Sequence, residues 1–242
     1  MKISRLALVL SIIALVLLLI GGPGYRMGLW DLGFGLRGVM RYALYAGAAG
    51  AIVAIVFLLI PKTRAGQTVP LVAALVLGAS VVAVPLYVGN TVERLPFIHD
   101  ISTDTTNPPE FVDVRPLRKD APNPPEYPGD EVATQQAEAY PDIQTLETEL
   151  DPEALVELAE DTAREQGWEI VSAVTADGRI EATDTTLWYG FKDDIVIRVR
   201  AVDGGSILDI RSKSRVGGSD LGKNAARIRD YLDDLRDHLD AQ

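Results

Sequence analysis

Residues 195–216 read Ile195-Val196-Ile197-Arg198-Val199-Arg200-Ala201-Val202, then Asp203-Gly204-Gly205-Ser206, then Ile207-Leu208-Asp209-Ile210-Arg211-Ser212-Lys213-Ser214-Arg215-Val216. Apolar and polar residues alternate on both sides of a glycine turn, the pattern of two antiparallel strands with one buried face each. With Gly204-Gly205 as a two-residue turn, Asp203 pairs with Ser206 and the register follows. Ile197 then faces Ser212, Val199 faces Ile210 and Ala201 faces Leu208 on the buried side. The other face gathers charge. Arg200 falls opposite Asp209 and Arg198 opposite Arg211, with Lys213 and Arg215 continuing the row.

Upstream of the hairpin, Asp151 is suited to cap a helix and Pro152 to open it. Leu155, Leu158, Ala159 and Thr162 keep helical spacing until Gly167 stops it. Residues 168–174 then read as a strand, with Asp177-Gly178 turning into a second at 180–183. Trp188-Tyr189-Gly190-Phe191 reads either as core packing or as an exposed aromatic platform. Downstream, Ser219 or Asp220 is the expected N-cap of a last helix that carries Leu221, Ala225, Ile228, Leu232, Leu235 and Leu239 on one face. These elements predict an α+β domain over residues 151–242, an antiparallel sheet with helices packed on one face.

Ten of the 14 prolines lie from Pro96 to Pro152, so residues 91–150 read as a Pro-rich linker, mostly irregular and partly docked. A long structureless loop is uncommon in a compact unit, and an edge strand is expected around Tyr140 to Ile143.

The first 90 residues differ in kind. They hold 7 Lys and Arg against one acid, Asp31, a formal charge of +6, whereas the remainder holds 16 against 33, a charge of −17. Uncharged runs at 6–25, 42–60 and 69–89 each approach the roughly 20 residues that cross a ~30 Å hydrocarbon core. Residues 1–90 therefore predict a membrane anchor of three transmembrane helices in the cell membrane. Gly21-Gly22-Pro23-Gly24 offers no small-x-small cleavage pattern after the first run.

Lys2 and Arg5 precede the first span, and Lys62 and Arg64 fill the loop between the second and third, which puts both on the cytoplasmic side. Arg26, Arg37 and Arg41 at the opposite ends weaken that count, and the aromatics give an independent signal: Tyr25, Trp30, Phe34, Tyr42, Tyr45, Tyr87 and Phe97 lie in or near those opposite ends. The C-terminal domain is thus expected outside the cytoplasm, in the periplasm of a two-membrane cell. Residues 27–37 read as an interfacial element. Ala43, Gly47, Ala51 and Ala54, with Ala74 and Gly78, form small-residue stripes that suit either dimerisation or packing among the three helices. No acid or His lies inside a span, which argues against a transporter or proton relay. Cysteine is absent, which excludes disulfides, thiolate nucleophiles and cysteine-zinc sites.

Several strings together resemble one bacterial family, known as domain of unknown function 1499. They are Phe97-Ile98-His99-Asp100-Ile101 with Thr103, Asp104, Asn107, Pro108 and Pro109; Gly190-Phe191 before Asp193-Asp194; and Arg211-Ser212-Lys213-Ser214-Arg215-Val216-Gly217 leading into Ser219-Asp220-Leu221-Gly222, Asn224 and Ala226-Arg227-Ile228. The resemblance covers about residues 96–240, in the form with three N-terminal spans. It implies an identity and a set of motifs, and no mechanism.

Gly217 to Asn224 fits the phosphate-loop pattern except at its last position, where Asn224 replaces the magnesium-binding hydroxyl. Asp220 would repel phosphate, and too little chain follows for a nucleotide hydrolase. Gly217, Gly218, Ser219 and Asn224, with Arg215 and Lys223 nearby, still make a corner suited either to a small anion or to simple helix capping. His99, Asp100, Asp193 and Asp194 are the candidate catalytic groups, but one His among acids is a thin ligand set, and no metal or cofactor is expected. The reading that follows is a membrane-anchored extracytoplasmic binding or interaction module. Its row of Arg198, Arg211, Lys213 and Arg215 would recognise an anionic group. The alternatives are an envelope hydrolase using His99 with the carboxylates, and a structural subunit of a membrane complex. The bilayer, an anionic ligand or a membrane-protein partner are the expected contacts, and nucleic acid is not.

Overall fold

The computed structural model describes residues 3–241, the side chain of Thr63 excepted; Lys2, used above for orientation, lies outside the described residues. The chain forms two compact units, Met1–Glu93 with Leu187–Gly190, and Arg94–Thr186 with Phe191–Gln242.

In the first unit, α1 (Ile3–Arg26), α2 (Met40–Leu59) and α4 (Thr68–Val92) are joined by a π-helical stretch, Phe34–Val39, and a single turn, α3 (Pro61–Arg64). Three helices, Ile3–Arg26, Phe34–Leu59 and Thr68–Val92, are long and apolar enough to cross a membrane. The second begins earlier than the expected residue 42, because the Asp31 carboxylate accepts the Phe34 amide at 2.9 Å and starts the helix there. The small-residue stripes lie between these helices. A Cβ on Gly78 would stand 2.5 Å from the Gly47 carbonyl oxygen and one on Gly50 would stand 2.3 Å from Ser11 Oγ, while Ser11 donates to the Ala74 carbonyl at 2.7 Å. Backbone approach this close needs residues without bulk. Within the same unit Trp188 Nε1 donates to the Leu19 carbonyl at 3.1 Å, so Trp188 lies apart from the sheet's core.

The second unit holds β1 (Asp100–Ser102), α5 (Asp130–Ala139), β2 (Leu146–Thr148), α6 (Pro152–Glu165), β3 (Glu169–Val174), β4 (Arg179–Thr185), β5 (Lys192–Val202), β6 (Gly205–Ser214) and α7 (Lys223–Asp240). The sheet is antiparallel in the order β1-β6-β5-β4-β3, and β2 shares the outer edge of β6 with β1. The edge strand expected near Tyr140 forms later, at β2, because the preceding chain ends helix α5 at Ala139. That helix interrupts the stretch read as irregular: Asp130 and Glu131 in its first turn, followed by Ala and Gln, favour it.

One sheet face carries Ile101, Ile180, Ala182, Ile195, Ile197, Val199, Leu208 and Ile210, all buried. Helices α6 and α7 cover it, with Leu155, Val156, Ile228, Tyr231 and Leu235, and Trp168 stacks on Tyr231 at 5.1 Å between ring centroids. Each large apolar side chain enclosed here stabilises the fold by roughly 1.5–3 kcal/mol before entropy is counted. Asp151 caps α6 through the Glu153 amide at 2.9 Å, as its sequence indicates.

The hairpin register differs from expectation by two residues. Val202 pairs with Gly205, so Asp203-Gly204 forms the turn, and Arg198 stands opposite Asp209 while Arg211 stands opposite Val196. A two-residue slip leaves every side chain on its own face, which is why periodicity could not detect it. Gly205 enters the strand because β2 passes over it: a Cβ there would lie 2.1 Å from the Thr148 carbonyl oxygen.

Candidate functional site

The face opposite the helices carries the charged row, and it is enclosed. Lys213 of β6 lies between Asp100 of β1 and Asp194 of β5 in the register. Arg211 donates to both Asp100 oxygens, Nε to Oδ1 at 2.9 Å and Nη2 to Oδ2 at 2.8 Å, and Lys213 Nζ lies 2.9 Å from Oδ2. Asp194 is held by Arg118 at 2.6 Å, by Arg215 through two bonds at 2.7 and 2.8 Å, and by the Thr183 hydroxyl at 2.7 Å. Asp209 accepts from Arg198 and Arg200, each at 2.8 Å, and from Thr145 at 2.6 Å.

Burial pushes the Lys213 ammonium and the Arg118 guanidinium below their ordinary pKa, against the pull of Asp100 and Asp194 respectively. Burial would raise the Asp209 carboxyl, but the donors Arg198, Thr145 and Arg200 outweigh it and hold the group below the usual carboxylate range. Such pairs hold together only when the remaining donors find acceptors.

Those acceptors come from the chain between β1 and α5, which lies across this face as a strap. Arg211 donates to the carbonyls of Pro109 at 3.0 Å and Pro125 at 2.9 Å, Lys213 to that of Glu126 at 2.6 Å, and Arg118 to that of Asn123 at 3.1 Å. In the opposite sense, buried Glu181 of β4 accepts the amides of Val112, Asp113 and Val114 at 2.9, 3.1 and 2.9 Å. Phe111 and Val114 pack on Val196 beneath. The Arg211 guanidinium lies between two rings, 4.8 Å from the centroid of Phe111 and 5.3 Å from that of Tyr127. The Tyr127 hydroxyl is buried with no hydrogen-bond partner among the described residues, and burial, helped by the charge of Asp100, pushes its pKa up to about 12.

Two cavities flank the strap at Asn107 to Glu110. One, of about 270 Å3, has Asn107, Pro109, Glu110, Asp177, Arg179 and Arg198 in its lining, so two carboxylates share it with the two guanidiniums. Arg179 and Arg198 are directly opposed across β4 and β5, and each side chain is 20 % exposed. The other, of about 200 Å3, has Arg211 and Phe111 among its lining, with Arg115, Glu126 and Tyr127 around them. All four cations of the predicted row are occupied in ion pairs, Arg198 with Asp104 and Asp209, Arg211 and Lys213 with Asp100 and Arg215 with Asp194; of the four, Arg198 and Arg211 also line the two cavities.

The candidate catalytic groups are dispersed. Asp100 and Asp194 share the strap face, each bound by cations, whereas Asp193 points to the helix face and is held by Arg227 at 2.7 Å. The His99 ring nitrogen Nδ1 lies 3.4 Å from the Gly218 carbonyl oxygen. Among the described residues no group of three or more His, Asp or Glu is placed to hold a metal ion.

The glycine corner is internally satisfied. Asp220 accepts the amides of Gly222 at 2.8 Å and Asn224 at 2.9 Å, and its own carbonyl accepts that of Lys223 at 3.1 Å. Ser219 Oγ accepts the Leu221 amide at 3.3 Å, and Gly217 and Gly218 offer carbonyls to Asn123 and His99. The last helix accordingly starts at Lys223, after the expected cap, because Leu221 and Gly222 take left-handed conformations, with φ of 56° and 78°. Asn224 ties Ser212, Ser214 and the His99 carbonyl together at 2.7, 3.0 and 3.1 Å.

Arg118, Arg179, Glu181 and Arg227 were not singled out by sequence reasoning. Arg227 stood within a recognisable motif; Arg118 carried no signal, because a cation in Pro-rich chain reads as solvated.

No curated protein matches the chain. A family model does: the one described as "Protein of unknown function (DUF1499)" matches residues 100–235, from the first residue of β1 into α7 and over more than half of the sequence. The strap, the ion pairs beneath it and both cavities lie within that span, and the chain belongs to the DUF1499 family.

Proposed function

We propose that this chain is a membrane-anchored, extracytoplasmic binding module that takes a small anionic group, a phosphate or carboxylate, into the cavity beside Asn107. Three apolar helices support the anchoring. Lys2, Arg5, Lys62 and Arg64, against Arg26, Arg37 and Arg41 at the opposite ends, and the aromatic residues gathered at those opposite ends together support a cytoplasmic N-terminus with the sheet domain on the other side, periplasmic in a two-membrane cell. The observation that carries the ligand reading is that Arg179 and Arg198, directly opposed across β4 and β5, line one cavity. Within the fold Arg179 is paired with Asp113, Asp177 and Glu181 and Arg198 with Asp104 and Asp209, so an entering anion would share or displace these carboxylates rather than meet free cations. At about 270 Å3 the cavity falls just below the range typical of drug-sized ligands, which suits a headgroup or the terminal group of a larger molecule.

The reading is tested on the full chain in detergent by following its melting temperature against inorganic phosphate and acetate at fixed ionic strength. A rise that disappears in Arg179→Gln supports it. Identical melting with either anion and with chloride refutes it.

A further inference from the structure

We infer that the turn between β6 and α7, together with Leu95 and Phe97, forms a lipid-contacting edge of the sheet domain. Leu221 is the only non-glycine among the described residues with positive φ, at 56°, a conformation that disfavours a bulky side chain. Asp220 holds the turn by accepting the amides of Gly222 and Asn224, so the strained residue is fixed in place rather than left to relax. The result is an apolar side chain 38 % exposed on a domain whose surface is otherwise strongly acidic.

The neighbours of this turn are apolar too. Phe97 is 70 % exposed and its ring lies against Gly218, where an added Cβ would come within 2.6 Å. Leu95 packs on the other flank, 3.3 Å from where a Cβ on Gly222 would be. Exposed Arg94 and Lys223 border the group together with exposed Glu93 and part-buried Asp220, so the edge is balanced in charge where the rest of the domain's sequence is acidic.

Chain connectivity selects the occupant. Helix α4, one of the three of membrane-spanning length, ends at Val92, and Leu95 and Phe97 follow within three and five residues. An extended chain covers at most about 3.5 Å per residue, so both lie within roughly 18 Å of the helix end. Apolar side chains held this near a helix that leaves the bilayer meet the headgroup and upper acyl region. Lipid at such a site would shelter the part of Leu221, over a third of its surface, that the domain leaves exposed.

The chain has no cysteine, so single-cysteine labels report one position each. Leu221→Cys, Phe97→Cys and, at the hairpin tip, Asp203→Cys would be made in the full chain. Each would be labelled with an environment-sensitive fluorophore and reconstituted in vesicles of phosphatidylethanolamine and phosphatidylglycerol carrying brominated acyl chains. Asp203 lies beyond the far end of the ten-residue strand β6, about 30 Å from Ser214 at ~3.3 Å per residue. Quenching at 221 and 97 that is several-fold stronger than at 203 is expected. Quenching at 97 alone, equal quenching at all three positions or none at 221 overturns the inference. Because Cys at 221 could alter the turn, Lys223→Cys serves as a second reporter, expected to be quenched with 221.

Discussion

Arg211 and Asp100 make a two-pronged, fully enclosed ion pair: both carboxylate oxygens are bound, and the side chains are 2 % and 0 % exposed. It joins the first strand of the domain to the longest-range partner in its sheet and, through the remaining guanidinium donors, fastens the strap at Pro109 and Pro125. Removing one partner leaves an uncompensated buried charge, which costs about 3–5 kcal/mol. Arg211→Gln is therefore expected to lower the unfolding free energy by that order, read from urea titration of the full chain in detergent with Trp168 fluorescence as the signal after Trp30 and Trp188 are replaced by Phe in both parent and variant. A loss below about 1 kcal/mol would mean that the pair is not what fastens the strap.

Tyr127 predicts an alkaline transition. Its phenol has an ordinary pKa of 10.0 and a folded value of about 12. Below pH 10 both states keep the proton; between 10 and 12 the unfolded chain releases it and the native chain does not, so stability falls as pH rises through that window. Tyr127→Phe should flatten part of this fall. At neutral pH it should leave the protein as stable or more so, by about 1 kcal/mol, because the hydroxyl it removes is buried and unpartnered. Melting temperatures across pH 7 to ~11.5 would show both effects.

Leu221→Gly should change the domain's stability in detergent little, by less than about 1 kcal/mol. Glycine relieves the left-handed conformation, which costs another residue about 1–2 kcal/mol. Against this stand the leucine's packing, since at 38 % exposure most of its surface is covered, and the larger entropy of glycine in the unfolded chain, roughly 0.5–1 kcal/mol. A loss above about 2 kcal/mol in urea unfolding would show that the leucine's packing outweighs its strain.

The proposed orientation is checked by fusion after residue 242. Alkaline phosphatase there should be active, and a fluorescent protein that matures only in the cytosol should be dark. The reverse pattern would place the sheet domain in the cytoplasm and remove the extracytoplasmic reading.

What the sequence revealed and what it concealed divide along physical lines. The α6 start was legible because Asp151 and Pro152 act through local backbone chemistry. The faces of β5 and β6 were legible because alternation has period two; their register was not, since a shift of two preserves it. The charged row was visible as residues but not as an enclosed layer. The groups that satisfy Arg211, Lys213 and Arg118 include carbonyls of Pro109, Pro125, Glu126 and Asn123, and a carbonyl has the same character whatever side chain it belongs to. Arg179 joined the candidate site only through β4 pairing with β5, which strand length alone does not specify.

The pairing of β1 with β6 spans 111 residues between Asp100 and Arg211. On a ribosome feeding the chain into a membrane, the strap and β1 emerge directly behind the last spanning helix, long before their partners have been synthesised. They must wait, unpaired and rich in prolines that resist premature strand formation, until the chain beyond Arg215 has been made. Closure of the domain is thus a late event in biogenesis, and a chain cut short before β6 would leave an inserted anchor trailing an open, protease-sensitive segment.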